Sequence, residues 1–430
     1  MDYPKVLIVS NDCLSLSGSN GRTLRNILLG WPREKLAQFY IQNNTPDFTV
    51  CANYYRVTDG QALRAFLGKG CDGGVVTETS ADKETAAKTA PAGKGPGRTA
   101  LTMLARELVW RSGRWRREDF RCWVETFRPE VILLQVGDCG FMLRLAEEFS
   151  EQYHAPLVIY NSEGYYFKDF DYFRAKGPAH WCYPLFRRQL RRQFQRVLPK
   201  AARSVYICEP LQREYDREFG LPSETIYTAT EVRPRANPPE NPQFRASYLG
   251  GLGVGRYQGL MEIGTALHDI SEELCLDIYG PVPDDGVRQA LESCPGVRYR
   301  GVVPYREVLK TMESSDLLVH AESFEPFYRE DLKFAFSTTL ADSLASGVCF
   351  LLYAPEELAC AQYLNENGAA WVVSDPAKLR EILRTLVKHP AERERYLKNA
   401  AALVERNHSA GKNTARFREV LEQAAERGQA

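Results

Sequence analysis

Three side chains able to carry charge or move a proton, His320, Glu322 and Glu325, follow directly on the apolar run 317–319. The segment 333–347 then brings Lys333, Ser337, Thr338 and Asp342 before a second apolar run at 349–353. Acids and hydroxyls so placed, at the exit of one strand and the start of the next helix, read as a ligand site, because a parallel sheet exposes its functional groups at the C-terminal ends of its strands. Earlier in the chain Gly250, Gly251, Gly253 and Gly255 lead into Arg256. Glycines let backbone N–H groups approach an anion closely, and an arginine at the mouth of the following helix adds a fixed cation, so this stretch reads as a diphosphate site; the same glycines also suit a plain turn. Ser337 and Thr338 offer hydroxyl and N–H donors to the same kind of anion. His320 either takes part in catalysis or hydrogen-bonds its own loop.

These groups need strands and helices to hold them. In the second half, apolar runs at 246–249, 276–279, 297–299, 317–319, 349–352 and 370–373 alternate with helical periodicity, which predicts a doubly wound parallel sheet. The first half repeats the plan, with strands at 5–10, 131–135, 156–160 and 204–208. A helix is expected from Arg22 to about Gly30 and a second over residues 101–123. Gly18 to Gly21 precedes the first of these, so Asn20 and Gly21 read as donors to an anion or as a tight turn. Asp138 and Glu163 follow strands 131–135 and 156–160 and are candidates for acceptor contacts, or equally for a helix cap or an ion pair. Residues 69–100, rich in Gly, Ala, Thr and Lys without apolar periodicity, read as a flexible insertion.

The proline-rich stretch 234–242 marks the boundary between an N-terminal domain, 1–235, and a C-terminal domain, 236–410, with 411–430 a final helix that could pack back on the first domain. The formal charge is zero overall, yet the first 235 residues carry 34 Lys and Arg against 27 Asp and Glu, and the remainder carries 21 against 28. Two electrically different units are expected to have different partners. Eleven cysteines without CxxC pairs or ligand spacing suggest neither a disulfide framework nor a metal site. With no leader and no apolar stretch long enough to span a bilayer, the reading is cytoplasmic, at the inner face of a membrane if anywhere. The basic aromatic segment 180–203, with Arg187, Arg188, Arg191, Arg192 and Arg196, either lies on an anionic membrane or phosphate-bearing acceptor, or is the solvated face of an ordinary crossover helix. Nothing in the sequence calls for nucleic acid.

A dinucleotide oxidoreductase is disfavoured because the turn after the first strand lacks the glycine fingerprint, and no Walker lysine loop or Gly-x-Ser-x-Gly elbow occurs. The run Tyr248-Leu-Gly-Gly-Leu with Arg256 and Gly259, then Tyr305-Arg-Glu-Val-Leu, Asp316-Leu-Leu-Val-His-Ala-Glu-Ser-Phe, Ala341-Asp-Ser-Leu-Ala-Ser-Gly and Tyr353-Ala-Pro-Glu-Glu resembles the donor-binding half of family 4-like, group 1 glycosyltransferases of the bacterial surface-glycan type. The resemblance covers about 245–410 and implies the GT-B fold, two Rossmann-like domains facing a cleft. It implies transfer of a sugar from a nucleotide diphosphate to a glycan or lipid-linked acceptor, with retention of configuration and without metal or other cofactor. By the same resemblance Arg256 holds the donor diphosphate, Asp342 the ribose, and Glu322 or Glu325 faces the sugar. The family's lysine after the arginine reads Gln258 here, and Lys333 is the replacement cation on offer. The alternatives are an epimerase or hydrolase of the same fold, or a non-catalytic nucleotide-sugar-binding subunit of a glycan assembly complex.

Overall fold

The computed structural model describes residues 3–16, 19–79, 97–237 and 241–429. Its chain divides into two compact units, Met1–Tyr227 with Asn413–Ala430, and Thr228–Lys412.

The first unit is built on an eight-stranded sheet in the order β4-β3-β2-β1-β5-β6-β7-β8. The strands are β1 (Val6–Ser10), β2 (Leu36–Tyr40), β3 (Asn53–Arg56), β4 (Gly74–Val76), β5 (Val131–Val136), β6 (Leu157–Asn161), β7 (Arg203–Tyr206) and β8 (Ser223–Thr225). All neighbours pair in parallel except β4, which runs antiparallel to β3. Every residue of β1, β2, β5 and β6 is buried, as expected where helices cover both faces of a sheet. Strand β2, Leu-Ala-Gln-Phe-Tyr, carries a polar residue at its centre and no apolar run announces it. Gln38 is tolerated there because its side-chain oxygen accepts from the Leu14 N–H and its amide donates to Ser10 Oγ, so neither polar end is left bare.

The second unit holds a six-stranded, wholly parallel sheet, β11-β10-β9-β12-β13-β14. Its strands are β9 (Ala246–Leu249), β10 (Leu276–Tyr279), β11 (Val297–Gly301), β12 (Leu317–Ala321), β13 (Cys349–Tyr353) and β14 (Trp371–Val373). Numbered from the start of the unit, this is the doubly wound order 3-2-1-4-5-6, in which the direction of winding reverses between β9 and β12. The first sheet reverses between β1 and β5 in the same way. These two switch points are where loops diverge and leave a crevice.

Three local expectations change. The helix read over 101–123 is two, Ala100–Arg111 and Glu118–Phe127. Gly113 breaks it at φ +68°, and the turn lets Trp115 bury its ring and donate its indole N–H to the Trp110 carbonyl. The helix expected from Arg22 begins at Ser19 and ends at Ile27. Of the expected flexible insertion 69–100, residues 74–76 form the antiparallel edge strand, while 80–96 lie outside the described residues. The final helix, Ala410–Gln429, packs in the first unit from Asn413 onward: Asn413 donates to the Tyr227 carbonyl, Arg416 pairs with Glu224, and Phe417 meets the Tyr160 ring edge-on. Among the described residues no helix is long and apolar enough to cross a membrane.

Candidate functional site

In the second unit the switch point collects Arg256, His320, Glu322 and Glu325. The loop from β9 to the helix Arg256–His268 runs through Gly250–Gly255. It is pressed against its neighbours at two glycines and open at two others. A β-carbon at Gly255, whose φ is +75°, would lie 2.7 Å from Ser323 Oγ and 2.8 Å from the Tyr328 ring, and at Gly280, whose φ is +145°, a β-carbon would strike the Gly250 carbonyl, so both positions require glycine. Gly251 and Gly253 would meet nothing, so their backbone borders open space. Val254 sits at φ +51°, a left-handed conformation that costs a β-branched residue strain, two residues before Arg256.

Arg256 is the first residue of its helix and grips Glu322 with two N–H groups, Nε to Oε2 at 3.0 Å and Nη2 to Oε1 at 2.9 Å. Glu322 stands at the exit of β12, 2% exposed, and His320 Nε2 lies 2.9 Å from the same Oε1. Burial opposes ionisation of Glu322, but the Arg256 guanidinium and the His320 imidazole overcome it and hold the carboxyl at about 2. Burial likewise works against the charge on Arg256, and Glu322 more than compensates, raising its pKa above the ordinary value. The Tyr248 hydroxyl donates to the Gly251 carbonyl, which ties the end of β9 to the open part of the glycine loop. Arg256 side-chain exposure is 18%, and Nη1 takes no part in the grip on Glu322.

Glu325 is separate from this pair. It precedes the short helix Pro326–Asp331, is half-buried, and accepts from Gln258 Nε2 at 2.6 Å. Gln258 thus meets the second acid of the loop while Arg256 meets the first. Ser337 caps the helix Thr338–Ala345 by accepting from the Thr339 N–H, and Thr338 is its half-buried first residue. Asp342 is buried within that helix and accepts from Thr230 Oγ1 at 2.6 Å. Lys333 is exposed, its Nζ 5.4 Å from the centre of the Phe334 ring. The structure therefore joins His320, Glu322 and Arg256 directly and pairs Glu325 with Gln258. Among the described residues no hydrogen bond or ion pair links Lys333, Ser337 or Thr338 to them, and Asp342 is held to Thr230. A concavity of about 440 Å³ that the sequence did not disclose opens past β13 and β14, lined in part by Phe324, Arg329, Glu357, Ser374 and Asp375.

The first unit has its own cluster at its own switch point. Asp138, after β5, is buried and takes an ion pair from Arg98 and a hydrogen bond from the Tyr172 hydroxyl at 3.0 Å. Lys168 lies over the Tyr165 and Tyr172 rings, at 4.7 and 5.3 Å, and reaches Glu163 Oε2 at 3.4 Å. Asp138 and Glu163, separate in the sequence, are thereby joined through a cationic and aromatic patch. Nothing local in the sequence marks Arg98, Lys168 or Tyr172, since each comes from a loop. Burial and then the Asp138 charge push the Tyr172 phenol well above its usual range, so it stays a donor. Asn20 is exposed in the first turn of the helix Ser19–Ile27, its carbonyl accepting from Gln135. At Gly21 a β-carbon would come within 2.2 Å of the Cys13 carbonyl, so this glycine is required for packing the helix on the loop after β1; Gly18 lies outside the described residues. Among the described residues no group of three His, Cys, Asp or Glu side chains is arranged to hold a metal ion.

Residues 264–419 match the model of the Glycosyl transferase-like family. No curated protein sequence matches the chain. Among solved structures, HepE of Anabaena in complex with UDP superposes with a TM-score of 0.61 at 11% identity, covering 97% of this chain and 100% of that one. Sucrose-phosphate synthase of Thermosynechococcus elongatus gives 0.61 at 12% identity over 97% and 98% of the two chains. The E. coli trehalose-6-phosphate protein bound with UDP-2-fluoro glucose gives 0.57 at 11% identity over 97% and 99%. At such identities the likeness speaks to the fold, and that fold is GT-B.

Proposed function

We propose that this chain, with its GT-B fold and its match over residues 264–419 to the Glycosyl transferase-like family model, moves a sugar from a nucleotide diphosphate to a glycan or lipid-linked acceptor, with retention of configuration. The observation that carries this reading is the Arg256 fork. Glu322 and His320 fix the guanidinium at the sheet's switch point, beside backbone that is open at Gly251 and Gly253. In this reading Glu322 is a positioning residue, and Arg256 offers its remaining N–H groups to the donor diphosphate while the glycine-loop N–H groups share the charge. Glu325 takes the place beside the sugar, oriented by Gln258. Asp342 and the Ser337–Thr338 helix start serve ribose and phosphate, and Lys333 supplies a further cation. Asp138 and Glu163, with Asn20 and Gly21, serve the acceptor.

The acceptor hydroxyl then attacks on the face from which the diphosphate departs, and a donor phosphate oxygen takes its proton, so no protein base is required. Neutralisation of the leaving diphosphate by cations and N–H groups makes a metal unnecessary, and added chelator should leave the rate unchanged. The uridine diphosphate compounds in the HepE and E. coli complexes make a uridine diphosphate sugar the first donor to try.

Calorimetry with uridine diphosphate, followed by incubation of the matching donor with membrane extract, tests the proposal. Binding together with transfer supports it, and Arg256→Ala is expected to weaken diphosphate binding by about 1.5–3 kcal/mol, the range for a charge-assisted hydrogen bond. Binding without transfer or turnover favours instead a nucleotide-sugar-binding subunit, the reading to which the glutamine at position 258 points.

A further inference from the structure

We propose that one face of the first unit, formed by the helices Ala100–Arg111 and Tyr183–Val197, is a docking surface for an anionic lipid bilayer. The second of these helices, with the turn Pro178–Trp181 before it, divides cleanly along its length. Tyr183, Phe186, Arg187, Leu190, Phe194 and Val197 are turned into the unit. The opposite stripe reads Trp181, Leu185, Arg188, Arg192 and Arg196, at helical spacing, and every one of its members is exposed.

The chemistry of that stripe is graded. Its N-terminal end presents an indole 77% exposed and a leucine 60% exposed, and its remainder presents guanidinium groups. The neighbouring helix contributes exposed Leu101 and Leu108, with Arg111 one turn beyond Leu108. Between the helices lies a concavity of about 380 Å³ whose wall contains Arg111, Arg144, Arg188, Arg192 and Arg196 beside Leu185, and no carboxylate. Two of these arginines are neutralised, Arg144 by Glu107 and Arg196 by Glu147. Among the described residues no ion pair engages Arg111, Arg188 or Arg192.

A face that exposes tryptophan and leucine is costly in water, and three unneutralised arginines around it repel a basic partner. A bilayer with phosphodiester headgroups meets both demands together: the indole and the leucines enter the boundary between headgroup and acyl chain, and the arginine-walled concavity receives lipid phosphate. The structure also separates this surface from the rest of the basic segment. Arg187 is buried, with its guanidinium on the Tyr165 and Tyr166 carbonyls, and Arg187 and Arg191 share Asp169, so these two belong to the fold and not to the membrane.

The inference stands apart from the transferase reading, because it is measured without donor or acceptor. Flotation of the whole chain with vesicles of phosphatidylcholine and phosphatidylglycerol should recover bound protein, and vesicles of phosphatidylcholine alone should not. Replacing Arg188 and Arg192 by glutamine should weaken partitioning by roughly fivefold per arginine, or about 25-fold together. Trp181→Ala with Leu185→Ala should reduce binding with its salt dependence intact. The double replacement Arg306→Gln with Arg384→Gln, both exposed arginines of the other unit, should leave binding unchanged. Brominated phosphatidylglycerol should quench a fraction of the tryptophan fluorescence that is missing in Trp181→Phe. Absence of binding to the anionic vesicles, equal binding to both vesicle types, or equal losses in the control variant would overturn the proposal. So would calorimetric binding of inorganic pyrophosphate lost with Arg188 and Arg192 while vesicles fail to bind, since that outcome assigns the concavity to a soluble anion.

Discussion

The two switch points hold their carboxylates in contrasting ways. In the second unit Glu322 is sealed against Arg256 and His320 in a buried, bidentate arrangement with little freedom. In the first, Asp138 is equally buried, but its cationic partner Arg98 is 61% exposed and reaches it from the loop before a helix. A buried fork fixes a cation in one orientation at the cost of desolvating both charges, whereas a largely solvated arginine is itself little desolvated and keeps more freedom of orientation on its carboxylate. In the proposed function the fixed fork is the group assigned to an invariant diphosphate, and the looser pair is the one assigned to a variable acceptor.

The largest expected effect follows from breaking the fork. Glu322→Ala should lower unfolding free energy by about 3–5 kcal/mol, because it strands a buried guanidinium, while the double replacement Arg256→Met with Glu322→Leu should lie within about 1–2 kcal/mol of wild type and bind no diphosphate. Chemical denaturation of the three proteins checks this; a double variant as unstable as the single would mean that the pair contributes more than mutual neutralisation.

Acid should act on the second unit first. His408 is buried, donates from Nδ1 to the Thr228 carbonyl at 2.7 Å and accepts from the Tyr363 hydroxyl at 2.9 Å. Burial, only partly offset by the Thr228 bond, lowers its pKa from 6.5 to about 4. Its stabilising contribution is fully present above pH 6.5 and is lost as pH falls towards 4, on the order of 2–3 kcal/mol in all. Glu322 gives way later, between 4.5 and about 2, because its folded value is also depressed. The first unit's described histidines, His154 and His180, are exposed. Thermal unfolding followed from pH 7 to 4 should therefore show a decline that His408→Phe flattens.

Glycine replacements distinguish packing from ligand approach. Gly21→Ala should cost about 1–3 kcal/mol through its clash with the Cys13 carbonyl. Gly251→Ala, facing open space, should leave stability within about 1 kcal/mol and reduce diphosphate affinity if backbone approach matters there. The smallest effect belongs to Arg98→Lys, which keeps a cation on the buried Asp138 carboxylate: about 1 kcal/mol or less in stability by denaturation, with any larger change confined to acceptor use. A loss as great as that of Glu322→Ala would remove the contrast between the two units.

Much of the architecture was legible in the chain. Unbroken apolar runs such as Val6–Val9 and Leu317–Val319 mark strands buried on both faces, and their alternation with helices leaves few topologies open. Strand β2 escaped because a glutamine sits at its centre, and only partners from the loop after β1 make that burial acceptable. The two-helix break at Gly113 escaped because the tryptophans around it carry helical spacing whether or not the chain turns.

The sequence by itself determined the doubly wound sheets, the glycine loop with its arginine, and the presence of two acids after β12, since these depend on periodicity and spacing within a few residues. The tertiary structure alone decided that Glu322 turns inward to Arg256 and His320 while Glu325 pairs with Gln258, and that Asp138 and Glu163 meet through Lys168 and Tyr172. It also decided which arginines of the basic helix face outward. Side-chain pairing of this kind is set by the distance between loops from different strands, and by how much water the surrounding fold excludes. Neither quantity is encoded in any short stretch of the chain.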